Sequence, residues 1–575
     1  MSTEPSKSGK LSFVLILFLL LGAVASAATF TVNQTDDAGD LTCDATCTLR
    51  DAIDDANAAS GADTIVFDGG VFGTPQMITL TGGNLIITNS TNANVNITGP
   101  GSNLLAISGG NASKIFTITE TPVVVISGIT LTQGNAIGAS PGNNYGGAIY
   151  NQGNLTLNDV VITGNSATLD GGGIYVSTGD SLTINNSTIS GNNATGDGGG
   201  IYGNASSTVS VSNTTVSNNT AGKNGGGAYS DDGSTLTVSG SIFSGNTAQT
   251  PTSDAGGGGI YIDSANFNLT DSTIRNNISN LNGGGLAFDS GGTSTITGST
   301  INGNTATGKG GGMYLEDTPL NIINSTTSGN SANLGGGLYR DSQNPATIFL
   351  NFSTVVNNNT TNGGGGIFVL SSPIDVGNTI IGDNTAPTAP DVSGSLNSLG
   401  YNLIENTSGA NIGGNSTGNI TGQDPMLETL GDNGGPTQTH RLILFSPAID
   451  NANTTNFPAT DQRGIARPID GNSAGGAQPD IGSYEASMVT AAKITVAGRV
   501  SNGKRGVAGA FVQLTDQNGN TRGTRTNSFG YYRFDDVDAG QTYIFNAYSK
   551  QFQFAPQVVT INETAENLNF EAMKN

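Results

Sequence analysis

A glycine-rich signature ending in an apolar and an aromatic residue returns through the middle of this chain at nearly constant intervals. It reads Gly146-Gly147-Ala148-Ile149-Tyr150, then Gly171 to Tyr175, Gly198 to Tyr202, Gly225 to Tyr229, Gly257 to Tyr261, Gly283 to Ala287, Gly310 to Tyr314, Gly335 to Tyr339 and Gly364 to Phe368. Successive last residues lie 25, 27, 27, 32, 26, 27, 25 and 29 apart. A second signature, apolar-x-x-Asn, keeps step from Ile162/Asn165 through Phe243/Asn246 to Ile381/Asn384. Repetition at this period marks a chain of units that cannot bury an apolar face alone and must stack.

Between the two signatures lies an apolar-x-apolar pair such as Leu155/Leu157, Leu182/Ile184 and Val209/Val211. Each repeat therefore reads as three short strands with period-2 alternation, separated by Gly, Asn, Ser and Asp turns. Three strands in ~27 residues make one coil of a parallel β-helix, and coils stacked at ~4.8 Å bury a continuous core. A propeller blade needs four strands and ~40 residues or more, so it fits poorly. The 32-residue interval carries its extra residues around Gln249 to Ala255, where a loop can bulge without disturbing strands.

In-register stacking puts like on like. The residue before the aromatic position (Ile149, Ile174, Ile201, Ala228, Ile260, Leu286, Met313, Leu338, Ile367) must face inward. The next residue then faces out, giving a column of Tyr150, Tyr175, Tyr202, Tyr229, Tyr261, Tyr314 and Tyr339. The asparagines from Asn165 to Asn384 are expected to stack as an amide ladder at a turn.

Composition agrees with many short strands. Gly numbers 86 of 575 residues without a Gly-X-Y period, which excludes collagen, and charged residues make up only 11%, which excludes a coiled coil. The formal charge of −23 repels phosphate backbones and no basic stripe offsets it, so nucleic acid is excluded as a partner. Lys7 and Lys10 precede an apolar run from Leu11 to Ala25, and Ala25-Ser26-Ala27 suits a signal peptidase cleaving before Ala28. No other stretch approaches ~20 apolar residues, so no spanning helix is expected in the mature chain. The two cysteines, Cys43 and Cys47, are expected to form a local disulfide in an oxidising compartment; metal ligation would need further partners, and the single histidine is the distant His440.

Several segments resemble known families. Gly146-Gly147-Ala148-Ile149 and Phe243-x-x-Asn246 are similar to the tetrapeptides of polymorphic outer membrane protein repeats, with Ile or Val usually in the place of Phe. That resemblance implies a β-helix displayed on a cell surface. Cys47-Thr48-Leu49-Arg50-Asp51-Ala52, with Cys43 upstream, resembles the CSLREA domain at the start of exported β-helix proteins. Independently, Thr48 to Asp51 reads as a capping box, and Leu49, Ala52, Ile53 and Ala56 share one helical face, so a short helix is expected over the solenoid's N-terminal end. Asp424-Pro425, Asn433 to Thr437, Thr439 to Leu442, Ser446 to Asp450, Asp461 to Gly464 and Asp480 to Glu485 resemble the choice-of-anchor Q region. Gly498-Arg499-Val500, Gly506 to Ala510, Thr526 to Phe534 and Ala539 to Tyr543 look like a carboxypeptidase regulatory-like domain, which implies a transthyretin-like sandwich and no peptidase activity.

The expected architecture is all-β: a right-handed parallel β-helix of the pectin-lyase-like kind, then a small transthyretin-like β-sandwich. Handedness follows the usual crossover rule and the resemblances. The boundaries are a signal peptide over 1–27, a CSLREA-like cap with the first coils over 28–115, repeats over 116–422, a choice-of-anchor Q-like cap over 423–486 and the sandwich over 493–572.

This fold hosts polysaccharide lyases and hydrolases as well as scaffolds, so the site must decide. Lys223, Arg275, Lys309 and Arg340 fall at different places in their coils and form no basic column. Acids do align. Two residues past the aromatic position stand Gln152, Ser177 and Asn204, then Asp231, Asp263, Asp289, Glu316 and Asp341, all on the tyrosine face. Neighbouring carboxylates at ~4.8 Å repel by roughly 0.9 kcal/mol even at water's dielectric constant. Such a column can raise carboxyl pKa values, take Ca²⁺ as a shared counter-ion, or pair carboxylates for glycoside hydrolysis. Otherwise each strand simply ends there and the acid starts a turn. The tyrosines stack sugars or a partner, or pack across coils, and His440 reads as a structural hydrogen-bonder. With no compact acid, base and cation constellation, the function read is a secreted or cell-surface scaffold or adhesin requiring no cofactor. Its partners would be polysaccharide or a host or neighbouring-cell surface, its oligomeric state being open. The alternative is a polysaccharide lyase or glycoside hydrolase working on the acidic face.

Overall fold

The computed structural model describes residues 27–573, apart from 89–93, 120–122, 139–141, 250–255, 342–345, 473–475, 488–492, 517–518, 540 and 562–563. Residues 1–26 of the expected signal peptide and the long-interval loop over 250–255 lie outside the described residues. The chain divides into two units, Met1–Ala486 and Ser487–Asn575. No helix among the described residues is long and apolar enough to cross a membrane.

The first unit is a parallel β-solenoid. Strands that share a place in the repeat pair in register from coil to coil: Ile149–Asn151 with Ile174–Val176, then Ile201–Gly203. The five-residue strands do the same, Asn154–Asn158 with Ser181–Asn185 and Thr208–Ser212. Among the described residues, the apolar-x-x-Asn strands belong to a 14-stranded ladder. The coil has one more ladder than the three expected. Its nine strands among the described residues are mostly two residues long, such as Ser166–Ala167 and Asn193–Ala194, and after the first they start just past the ladder asparagine. The signal was present in the recurring Ala at 167, 194, 221, 248 and 306, which turns its methyl inward and is buried each time.

The alternation sorts the side chains as the pleat demands. Ile149, Leu155, Leu157 and Ile162, with their equivalents in other coils, merge into one buried apolar core. The turn before each aromatic strand explains the glycines. Gly198 has φ +65°, and a Cβ on Gly199 would lie 2.4 Å from the carbonyl oxygen of Gly226 in the next coil. Only glycine tolerates both the left-handed backbone and that approach.

The asparagines climb the same wall. Asn219 Nδ2 donates to Asn246 Oδ1 at 3.0 Å and to the Ile189 carbonyl at 3.0 Å, while its Oδ1 accepts the backbone and side-chain N–H groups of Asn192 at 3.0 and 2.9 Å. Both donors and both lone pairs are filled, which allows a polar side chain to be fully buried. The ladder runs from Asn165 to Asn384, where Asp391 takes over as acceptor at 2.9 Å.

At the start, Thr29–Val32 already pairs in parallel with Asp63–Phe67. Between them helix Leu49–Ala58 has Thr48 as N-cap with a reciprocal capping box to Asp51, and buries Leu49, Ala52, Ile53 and Ala56. Cys43 and Cys47 are disulfide-bonded, and buried Asp37 accepts Arg50 Nη2 at 2.9 Å and the amides of Thr81 and Gly82 at 2.7 and 2.8 Å.

The described residues of 424–486 pack against the solenoid. They run along the solenoid flank, against the outer face of the apolar-x-x-Asn ladder. Thr437 Oγ1 donates to the Gly298 carbonyl at 2.8 Å, Asn324 Nδ2 to that of Thr460 at 2.7 Å, and Ser483 N to Thr354 Oγ1 at 3.1 Å. The burial pattern follows: Thr188–Ser190 buries only its central residue, whereas Thr326–Ser328, Thr354–Val356 and Ile380–Gly382 bury all three. The reason is in the sequence of the late coils, where outward positions turn apolar. Phe352, Val356 and Ile380 join Leu442, Ile449, Ile481 and Tyr484 in a separate core.

The second unit holds two small sheets around one apolar core. Lys493–Ser501 pairs antiparallel with Tyr531–Asp538 and parallel with Phe570–Glu571. The other sheet runs in the order Thr521–Arg525, Phe511–Thr515, Gln541–Tyr548, Gln557–Ile561. Val512, Leu514, Phe534, Phe545 and Phe570 fill the space between.

Candidate functional site: a tyrosine and aspartate ladder

Each strand ending in the aromatic signature stops one residue before the acid. Ala228–Ser230, Ile260–Ile262, Leu286–Phe288, Met313–Leu315 and Leu338–Arg340 are followed by Asp231, Asp263, Asp289, Glu316 and Asp341. Asp231, Asp263, Asp289 and Glu316 therefore open turns or bends. The four aspartates meet tyrosine hydroxyls of the preceding coil. Tyr202 Oη donates to Asp231 Oδ2 at 3.0 Å, Tyr229 to Asp263 at 2.8 Å, Tyr261 to Asp289 at 2.9 Å and Tyr314 to Asp341 at 2.9 Å. Lys309 Nζ also meets Asp341 Oδ2 at 2.7 Å.

The tyrosines point away from the solenoid core, but they shield one another. Ring centroids of Tyr175, Tyr202, Tyr229 and Tyr261 follow at 5.1, 4.9 and 4.9 Å in near-parallel stacks. Tyr202 is 9% exposed and Tyr314 1%, so the rings offer little open face to a sugar. Burial and the adjacent carboxylates push the Tyr202, Tyr229 and Tyr261 hydroxyls far above their usual pKa, which keeps each a donor. Asp263 is raised, first by burial and then by the charges of Asp289 and Asp231, with the Tyr229 hydrogen bond opposing.

The column is interrupted once. Ala287 stands in register between Tyr261 and Tyr314, so position 287 offers no hydroxyl to the coil of Glu316. A second stack then runs through Tyr314, Tyr339 and Phe368. Among the described residues, no group of three or more His, Cys, Asp or Glu side chains is gathered as a metal ion would require.

The basic residues scatter. Arg340 occupies an inward position, in register with Leu315 and Val369, and its guanidinium donates to the carbonyls of Pro373 at 2.6 Å and Ala346. His440 is buried in the flank segment, its Nε2 paired with Ser328 Oγ at 2.8 Å and Nδ1 with the Glu428 carbonyl at 2.7 Å. Burial lowers its pKa.

The family model for the right-handed beta helix region matches residues 78–268 and 199–386, overlapping spans that take in more than half of the chain. The chain belongs to the right-handed beta helix family. Among solved structures it is similar to pectate lyase Pel9A, at 13% identity and a TM-score of 0.36 over 80% of this chain and 96% of that one. It is also similar to the A-module of the Azotobacter vinelandii mannuronan C-5 epimerase AlgE6, at 15% identity and a TM-score of 0.33 over 68% of this chain and 100% of that one. No curated protein matches the chain.

This beta helix carries a second row of polar residues beside the signature glycines. Asp170, Asp197, Asn224 and Asn282 each precede a signature glycine. Asp197 N donates to Asp170 Oδ1 at 2.8 Å, Asn224 N to Asp197 Oδ1 at 2.8 Å and Lys309 N to Asn282 Oδ1 at 2.8 Å. Burial raises Asp170, and it raises Asp197 to about 6, against the backbone hydrogen bond each accepts and, after it, the charge of Lys223. The recurrence of Asp or Asn before the glycines was the available signal.

Proposed function

We propose that this protein is an exported, non-catalytic solenoid acting at a cell surface or outside the cell as an adhesin or envelope scaffold. The observation that carries the reading is the engagement of Asp231, Asp263, Asp289 and Asp341 by tyrosine hydroxyls of the preceding coil. Those bonds make the acidic face part of the coil-stacking framework, where a nucleophile or general base needs a lone pair aimed at substrate. Export is supported by the signal-like segment over 1–27 and by the Cys43–Cys47 bridge. The finer assignments go with it: polymorphic outer membrane protein-like repeats, a CSLREA-like start, a choice-of-anchor Q-like flank over 423–486 and a transthyretin-like, carboxypeptidase regulatory-like unit over 493–572.

A second reading, lyase or glycoside hydrolase at Asp263, Asp289 and Glu316, is favoured by the break at Ala287 and by the raised Asp263. Incubating the full chain with uronate and neutral polysaccharides separates the two. No turnover is expected; turnover that Glu316→Gln abolishes would replace the scaffold with an enzyme. Calcium tests the same column from another side. With each aspartate already holding a hydroxyl, the melting temperature is expected to ignore calcium, and a rise removed by Asp289→Asn with Glu316→Gln would make the column a cation site.

A further inference from the structure

The solenoid and the second unit differ in charge. Ser487–Asn575 holds nine Lys and Arg against seven Asp and Glu, a net +2, while the rest of the chain holds eleven against thirty-six, a net −25. Within the second unit three side chains form a row across neighbouring strands. Phe511 pairs in register with Arg525 on one side and Tyr548 on the other. The Arg525 guanidinium lies 5.7 Å from the Phe511 ring centre, and the Phe511 and Tyr548 centroids are 6.4 Å apart at 29°. These rings are open, Phe511 36% and Tyr548 52% exposed, unlike the tyrosines of the solenoid. Arg525 Nη1 donates to the Gly509 carbonyl at 2.9 Å, which ties the row to the loop beside it.

The row forms one wall of an open depression of about 760 Å³ whose lining also includes Arg505, Lys550 and Phe552. Three cations and three aromatic rings meet there, and no carboxylate is among the described residues that line it. An adjoining depression of about 570 Å³ shares Asn502 and Ser549–Phe552 and carries Glu571.

We propose that the Arg525, Phe511 and Tyr548 row, with Arg505 and Lys550, binds an acidic polysaccharide built of carboxylated pyranose rings. A pyranose presents a face of C–H groups that packs on an aromatic ring, and a uronate adds a carboxylate at the ring edge. Flat rings beside cations match that combination: the rings take the apolar face, and guanidinium groups take carboxylates by paired N–H donors. At physiological salt the Debye length is ~8 Å, so the charges that act on a bound sugar are those within that distance of it, Arg505, Arg525 and Lys550 among them. The proposal goes beyond the scaffold reading and holds whether or not the solenoid is an enzyme.

The test is affinity electrophoresis of the purified full chain in gels containing polygalacturonate, dextran or poly-glutamate. Retardation by polygalacturonate alone, weakening with salt, is expected. Arg525→Gln and Tyr548→Ser should each weaken it about tenfold or more, Lys550→Gln should weaken it less, and Arg533→Gln, whose partner is Asp535 outside the depression, should leave it unchanged. Thermal melting checks that the variants fold; should one fail, Lys550→Gln, at an exposed position, still decides. No retardation by polygalacturonate, equal retardation by poly-glutamate, or retardation unaltered by the row's substitutions overturns the proposal, the second outcome assigning the depression to acidic protein instead.

Discussion

Two ladders climb the same coils of this beta helix, and only one is unbroken. The asparagine ladder is neutral, buried and continuous from Asn165 to Asn384. The tyrosine and aspartate ladder is charged, partly open and interrupted at Ala287. Both use side-chain hydrogen bonds between neighbouring coils, the inner one at every step and the outer one at four. A buried amide has no water to fall back on when its partner is lost, whereas a half-exposed carboxylate does. The inner ladder therefore tolerates no gap in the repeats, while the outer one accommodates Ala287 and a change from Asp to Glu at position 316.

The largest effect should come from breaking the inner ladder. Asn219→Ala removes the acceptor of Asn192 N–H and the donor to the Ile189 carbonyl, leaving both buried. A local loss of about 3 kcal/mol is expected, read by hydrogen exchange as lowered protection of the Asn192 amide and its neighbours. Protection unchanged within error would mean that coil stacking alone carries the fold.

The matching cut in the outer ladder should be smaller. Tyr229→Phe keeps the ring between Tyr202 and Tyr261 and removes only the hydroxyl on Asp263. Water reaches Asp263, so about 1 kcal/mol is expected. Because that hydrogen bond lowers the Asp263 pKa, the variant's Asp263 should titrate higher still by NMR. A loss as large as that of Asn219→Ala would make the two ladders equal partners.

The repeat made the solenoid legible because stacking in register is dictated by period and alternation, which are properties of sequence. The amide ladder followed from the same argument. What the acids do was less legible. Parity placed Asp231 to Asp341 on the tyrosine face, but a spacing of two residues along one coil does not reveal that each hydroxyl reaches the acid of the next. The flank position of residues 424–486 was hidden for a related reason. Apolar residues on both faces of Thr354–Val356 and Ile380–Gly382 are the mark of a covered strand, yet nothing local names the segment that covers it. In the second unit, the row of Arg525, Phe511 and Tyr548 exists only through antiparallel register between strands far apart in sequence.

The last effect, no larger than that of Tyr229→Phe and confined to neutral pH, concerns the row before the glycines. Asp197 titrates at about 6 because burial disfavours its charge, against ~3.9 in an unfolded chain. The folded state therefore binds more protons than the unfolded one between these values, and stability falls as pH rises from about 4 to about 6. Asn224 and Asn282 occupy the equivalent place, and Asn224 N still finds an oxygen on residue 197 if the side chain is an amide. Asp197→Asn should then leave stability unchanged near pH 4 and raise it by about 1 kcal/mol at pH 7, solvent access discounting the full shift. Urea midpoints of both proteins at the two pH values check this. A variant less stable at pH 7 would show that the charge itself, through Lys223, supports the coil, and would bring this row closer to the outer ladder than to the neutral inner one.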